Sequence, residues 1–77
     1  IRPAEIFMEA VRQNSPSIII SHCHPSGNPA PSPEDIKVTG MLYEAGHLLD
    51  IQLLDHVIIG DNQFTSLRTL GLGFPQK

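Results

Sequence analysis

Ser17-Ile18-Ile19-Ile20-Ser21-His22-Cys23-His24 runs into Pro25-Ser26-Gly27 and then, after a short loop, Ser32-Pro33-Glu34-Asp35. The first part reads as a strand, because three consecutive isoleucines suit a sheet covered on both faces. Alternate side chains of a strand share a face, so His22 and His24 point the same way, about 6.6 Å apart along the backbone. The last part reads as a helix start: Ser32 caps, Pro33 takes the first helical position, and Glu34 and Asp35 fill the first turn. Strand, loop and helix in that order begin an α/β domain.

Two imidazoles converging from one face can take two corners of a tetrahedral zinc at about 2.0–2.1 Å each. Asp35 would supply a third corner and leave the fourth for water, the arrangement of catalytic rather than structural zinc. A His-x-His pair alone is weak, since four histidines in 77 residues produce one readily by chance. Capping by Ser32 and Asp35 is ordinary helix chemistry, and it does not exclude ligation. A carboxylate near the positive end of a helix dipole stays ionised and fit to bind metal.

Outward from this stretch, residues from Pro3 to about Gln13 read as a helix, with Ile6, Phe7, Ala10 and Val11 as its apolar stripe. Asn14-Ser15-Pro16 stops it. Pro25 to Pro31 reads as a loop stiffened by three prolines, which would hold the histidines against Asp35. A second helix is predicted from Pro33 to Ala45, with Val38, Met41, Leu42 and Ala45 facing the core and Gly46 as its stop. Leu53 to Ile59 reads as another buried strand, Gly60-Asp61-Asn62 as a hairpin turn, and Gln63 to Thr65 as a short strand. Ser66 caps a last turn through Leu67, Arg68 and Thr69, and the tail from Gly73 to Lys77 is expected to be loose. His47 and Asp50 read as a solvated helix end. Asp55 and His56, as strand neighbours, point to opposite faces; structural hydrogen bonding is the plainer role for them, and support of a metal ligand the sharper one.

His-x-His-Pro, a seven-residue spacing and Ser-x-x-Asp together resemble the JAMM (MPN-plus) metalloprotease signature. Ile18-Ile19-Ile20-Ser21, Pro25-Ser26-Gly27, Ala45-Gly46, Leu53-Leu54-Asp55-His56-Val57-Ile58-Ile59-Gly60 and Ser66-Leu67-Arg68 narrow the resemblance to the bacterial RadC family, from Pro3 to Gly71. It implies a cytidine-deaminase-like, three-layer α/β domain of sheet and helices, with residues 1–77 as the C-terminal portion of one such domain. It implies a zinc-dependent hydrolase of peptide, isopeptide or other amide bonds, with His22, His24 and Asp35 as zinc ligands. Ser32 is placed by the family to hydrogen-bond the developing oxyanion or the water. The family's general base is a glutamate well upstream of the histidines. None of Glu5, Glu9, Glu34 or Glu44 matches it, so these residues alone are expected to be inactive. Family members usually carry asparagine where this chain has Cys23. The alternatives from other classes are a silent MPN-type interaction module and a DNA-repair-associated protein, after the family's association.

Composition bounds these readings. Seventy-seven residues allow one small domain or a piece of one, and a chain that begins at Ile1 is read as cut from something longer. No apolar run approaches the roughly 18 residues of a membrane span. Cys23 is the single cysteine, which rules out an internal disulfide and fits a reducing cytoplasm; on the strand it faces away from the histidines and is expected to be a buried thiol. Net charge is −3 with no basic run, so direct nucleic-acid binding is not expected. An exposed sheet edge, if a neighbouring strand lies elsewhere, would favour pairing with a second copy.

Overall fold

Pro3 opens the first helix, as its fixed φ and missing N–H allow. A computed structural model, which describes residues 3–75, places α1 at Pro3–Arg12, β1 at Ser17–Cys23, α2 at Pro33–Leu48, β2 at Gln52–Gly60, β3 at Gln63–Ser66 and α3 at Leu67–Leu70. The sheet order is β1-β2-β3, with β1 parallel to β2 and β2 antiparallel to β3. A parallel pair needs a crossover, and α2 supplies it. Asp61 and Asn62 turn β2 into β3, with Asn62 in the left-handed region at φ 53°. This is a small α/β domain, as the sequence implies. Among the described residues no helix is long and apolar enough to cross a membrane.

One core holds it together. Phe7 from α1, Leu42 from α2, Leu53 and Ile58 from β2, and Leu67 from α3 are buried in a single cluster. Each such side chain contributes about 1.5–3 kcal/mol through burial. Ile18 and Ile20 of β1 pack against this cluster, whereas Ile19 points the other way and is 62% exposed. The isoleucine run is therefore covered on one face only by the described residues, not on both.

The second helix runs past its expected stop. Gly46 lies inside it, buried, where a Cβ would collide with the Ile51 carbonyl and crowd the Phe7 ring. The helix ends instead at Asp50, which takes the left-handed conformation (φ 59°). Ile51 N–H donates to Gly46 O at 2.8 Å and Asp50 N–H to His47 O at 3.3 Å, the paired bonds of a Schellman end. Met41, expected in the core, is 54% exposed, and Thr39 is fully buried in its place. The buried face runs through Thr39, Leu42 and Gly46. The tail is anchored as well: Phe74 is buried edge-on against Tyr43 at 5.9 Å, with Arg68 over its ring at 5.3 Å. Gln76 and Lys77, the rest of the tail predicted to be loose, lie outside the described residues.

β2 carries an irregularity that matters for the site. Ile18 pairs with Leu53 but Ile19 with Asp55, so Leu54 is an extra residue in the ladder. Strict alternation from Leu53 would place Asp55 and Val57 on the core face. The bulge shifts the phase, and the buried residues are Leu53, His56 and Ile58.

Candidate metal centre

His22 is on the last turn of the pleat in β1, on the face of Ile18 and Ile20. His24 follows just past the strand end, still tied to the sheet by its N–H, which donates to Ile59 O at 3.2 Å. Asp35 sits in the first turn of α2. The loop between them is braced: Gly27 N–H donates to His24 O at 2.9 Å and Asp61 N–H to Gly27 O at 2.8 Å. Gly60 lets this happen, since a Cβ there would collide with the Gly27 carbonyl.

Asp35 does two things at once. Its N–H donates to Ser32 Oγ at 3.1 Å, and its Oδ2 accepts from Ser32 N–H at 2.8 Å, completing a capping box. The same carboxylate faces both histidines, with Oδ1 3.3 Å from His22 Nε2 and Oδ2 3.0 Å from His24 Nε2. Burial pushes its pKa up, but hydrogen bonds from the Ser32 backbone and side chain, together with His24 and His22, outweigh that and hold it below the usual carboxylate value. It is therefore a carboxylate, as its capping position predicts.

The donor chemistry fits a divalent cation. His24 Nδ1 lies 3.0 Å from Asn28 O, and a carbonyl only accepts, so Nδ1 carries the proton. That leaves Nε2 as the nitrogen that faces Asp35 Oδ2 at 3.0 Å, where a proton or a metal ion can lie between them. One ligand atom from each of His22, His24 and Asp35 lies within 4.8 Å of the others. A tetrahedral ion with bonds of about 2.0–2.1 Å separates its ligand atoms by about 3.3–3.4 Å, close to the 3.3 and 3.0 Å between the Asp35 oxygens and the Nε2 atoms of His22 and His24. Among the described residues this is the one such group of three, and it contains no glutamate. Glu9 is engaged with Gln13 and Arg12, and Glu34 and Glu44 are exposed on α2.

Cys23 faces away from the histidines as predicted, but it is exposed rather than buried, because the outer face of β1 has no cover among the described residues. Asp55 and His56 divide as strand neighbours should. Asp55 Oδ2 accepts from Ser66 Oγ at 2.6 Å and Oδ1 from Arg68 N–H at 3.2 Å, bracing the start of α3. Ser66 caps α3 as expected, its Oγ accepting from Thr69 N–H at 3.1 Å. His56 is fully buried beside the metal ligands, with Nε2 2.8 Å from His22 Nδ1 and Nδ1 2.6 Å from Thr39 Oγ1. Burial and the neighbouring His22 lower its pKa, against the opposing pull of Asp35 and Asp55. Thr39 was not visible as a site residue in the apolar pattern. Its signal was positional: four residues after Asp35, it lies one helical turn along the same face.

A family model, RadC-like JAB domain, matches residues 1–72. UPF0758 proteins from Chloroflexus aggregans and Roseiflexus castenholzii are 61% and 58% identical over 74 residues, 96% of this chain and 32% of each relative. One from Bacillus licheniformis is 55% identical over 71 residues, 92% of this chain and again 32% of the relative. The chain thus spans about a third of the length of these relatives. It belongs to the RadC-like JAB domain family.

Proposed function

We propose that this RadC-like JAB domain is the metal-holding part of a zinc-dependent hydrolase that cleaves an amide bond in a peptide, an isopeptide or a related substrate. The supporting observation is the convergence of His22, His24 and Asp35 within 4.8 Å, around a carboxylate kept ionised by its own helix cap. Zinc held there would supply Lewis acidity and a water acidified toward neutral pH. Asp35 and His24 hold their donor atoms through the Ser32 cap and the Asn28 carbonyl, so little reorganisation is needed. Ser32 Oγ accepts from the helix N–H, and its proton turns either to the Asp35 carboxylate or to a substrate oxygen. In the second position it hydrogen-bonds the charge that develops on the substrate carbonyl. The general base is assigned to a glutamate outside these residues, in the part of the relatives that this chain does not span. The single cysteine suits a reducing cytoplasm.

Metal analysis tests this reading. The chain should take up one zinc, and His22→Ala or Asp35→Ala should abolish tight uptake. Uptake that is absent, or unchanged in those variants, would overturn it. A second reading, a non-catalytic interaction domain, draws on the apolar sheet face that carries Ile19 and Phe64. Such a domain needs no zinc, so the same measurement separates the two. A net charge of −3 counts against a direct DNA-binding role, which salt-dependent DNA titration would reveal.

A further inference from the structure

We infer that Thr39 and His56 are positioning residues for the metal: a one-way hydrogen-bond chain through them fixes which nitrogen of His22 is free to ligate. The inference rests on the metal-site reading above and goes beyond the three ligands. Thr39 Oγ1 lies 2.7 Å from Asp35 O, and a carbonyl can only accept, so the single hydroxyl proton is spent there. Toward His56 Nδ1, 2.6 Å away, the hydroxyl must therefore accept, and His56 Nδ1 must carry a proton. A neutral His56 then presents a bare Nε2 to His22 Nδ1 at 2.8 Å, so His22 donates from Nδ1. The proton that would otherwise sit on His22 Nε2 is drawn to the far side of the ring, and the Nε2 lone pair faces Asp35 Oδ1 at 3.3 Å.

The first two links follow from a donor count, and a neutral His56 fixes the third. The chain begins on one proposed ligand, His22, and ends on the backbone of another, Asp35, so Thr39 and His56 tie two of the three ligands together. Both are fully buried, which keeps water from substituting for either link. They arrive from separate elements: Thr39 from α2 one turn after Asp35, and His56 from β2, turned inward by the extra residue at Leu54. A histidine ligand whose far nitrogen is held by a fixed acceptor is a better oriented and more basic donor, and losing such support costs about 10–100-fold in metal affinity.

Zinc titration of the chain and its variants, together with long-range proton–nitrogen NMR of the histidine rings, tests this. In the wild-type protein both His22 and His56 should appear as the Nδ1–H tautomer, with zinc on His22 Nε2. Thr39→Val keeps the shape of the side chain but leaves His56 Nδ1–H without its acceptor; it should weaken zinc binding about 10–100-fold and disturb the His22 tautomer. Thr39→Ser restores the hydroxyl and should return affinity to within a few-fold of wild type. His56→Leu should match or exceed the loss in Thr39→Val. If Asp35→Ala abolishes zinc uptake while Thr39→Val and His56→Leu bind as wild type, the positioning role is wrong and the metal site stands. If Asp35→Ala binds as wild type, the metal site itself is wrong. Should Thr39→Val not fold, the wild-type spectra decide: His56 found as the Nε2–H tautomer overturns the inference.

Discussion

The two faces of the sheet are made from the same strands but do different work. On the helix-covered face Leu53, Ile58, Ile18 and Ile20 meet α1, α2 and α3, and the polar groups among them, His56 and Thr39, are hydrogen-bonded to each other. Among the described residues no buried side-chain nitrogen or oxygen lacks a partner. On the other face Ile19, Ile59 and Phe64 stand exposed, with Ile59 and Phe64 paired directly across the hairpin. Hydrophobicity alone does not separate the faces. What separates them is cover: the helices bring matching surface and hydrogen-bond partners to one side only.

Substitutions on opposite sides of β2 should break this comparison most sharply. Ile58→Ala removes a fully buried side chain and should cost about 2–5 kcal/mol in urea unfolding; a cost under 1 kcal/mol would mean that the helices do not seal that face. Gly60→Ala probes the join between the hairpin and the histidine loop. Its methyl must displace the Gly27 carbonyl, so a loss of about 1–3 kcal/mol is expected, with looser zinc binding because His24 shifts with the loop.

Acid should act through the covered face. His56 has a lowered pKa in the folded protein, so the unfolded chain takes up the proton more readily. Stability of the zinc-free chain should therefore fall as pH drops through the ordinary histidine value of about 6.5. Asp35, also lowered, adds stability that is present above the ordinary aspartate value of about 3.9 and lost as pH falls further, through its folded value. Equal urea midpoints at pH 7.5 and 5.5 would show that His56 charges without penalty.

The smallest effect belongs to the open face. Phe64, 70% exposed, should change stability by no more than about 0.5 kcal/mol when replaced by serine. It should matter for association instead. β1 lies at an edge of the sheet beside an apolar face, so the isolated chain is expected to pair with a second copy at high concentration. Light scattering should show dimer mass that Phe64→Ser reduces; a monomer in both proteins would remove that expectation.

Much of the covered face was legible in the sequence. The strand-to-helix stretch, the Ser32 cap, the order of elements and the three converging donors follow from spacing and capping chemistry, and the wider resemblance agreed. The misses share a physical cause. Apolar periodicity placed Met41 in the core and passed over Thr39, because a hydroxyl buried by a hydrogen bond carries no hydrophobic signal. Gly46 was read as a helix stop when its small size serves close packing, and the stop fell to Asp50, whose left-handed backbone any glycine rule overlooks. Ile19 and Cys23 were expected under cover because a local run of isoleucines says nothing about which layers are present.

The extra residue at Leu54 lets one strand be read in two frames. Before it, even spacing sends Leu53 into the core; after it, the count is offset by one and His56 takes the inward place. Kept in the first frame, the strand would turn Asp55 toward Thr39 and the metal ligands and leave His56 facing outward with Ile58. A negative charge would then stand where a neutral ring now supports His22. Sequence change along β2 is consequently constrained by register as well as by identity: pairing Leu54 into the ladder with no residue removed would exchange a supporting imidazole for a competing carboxylate without altering any of the three ligands.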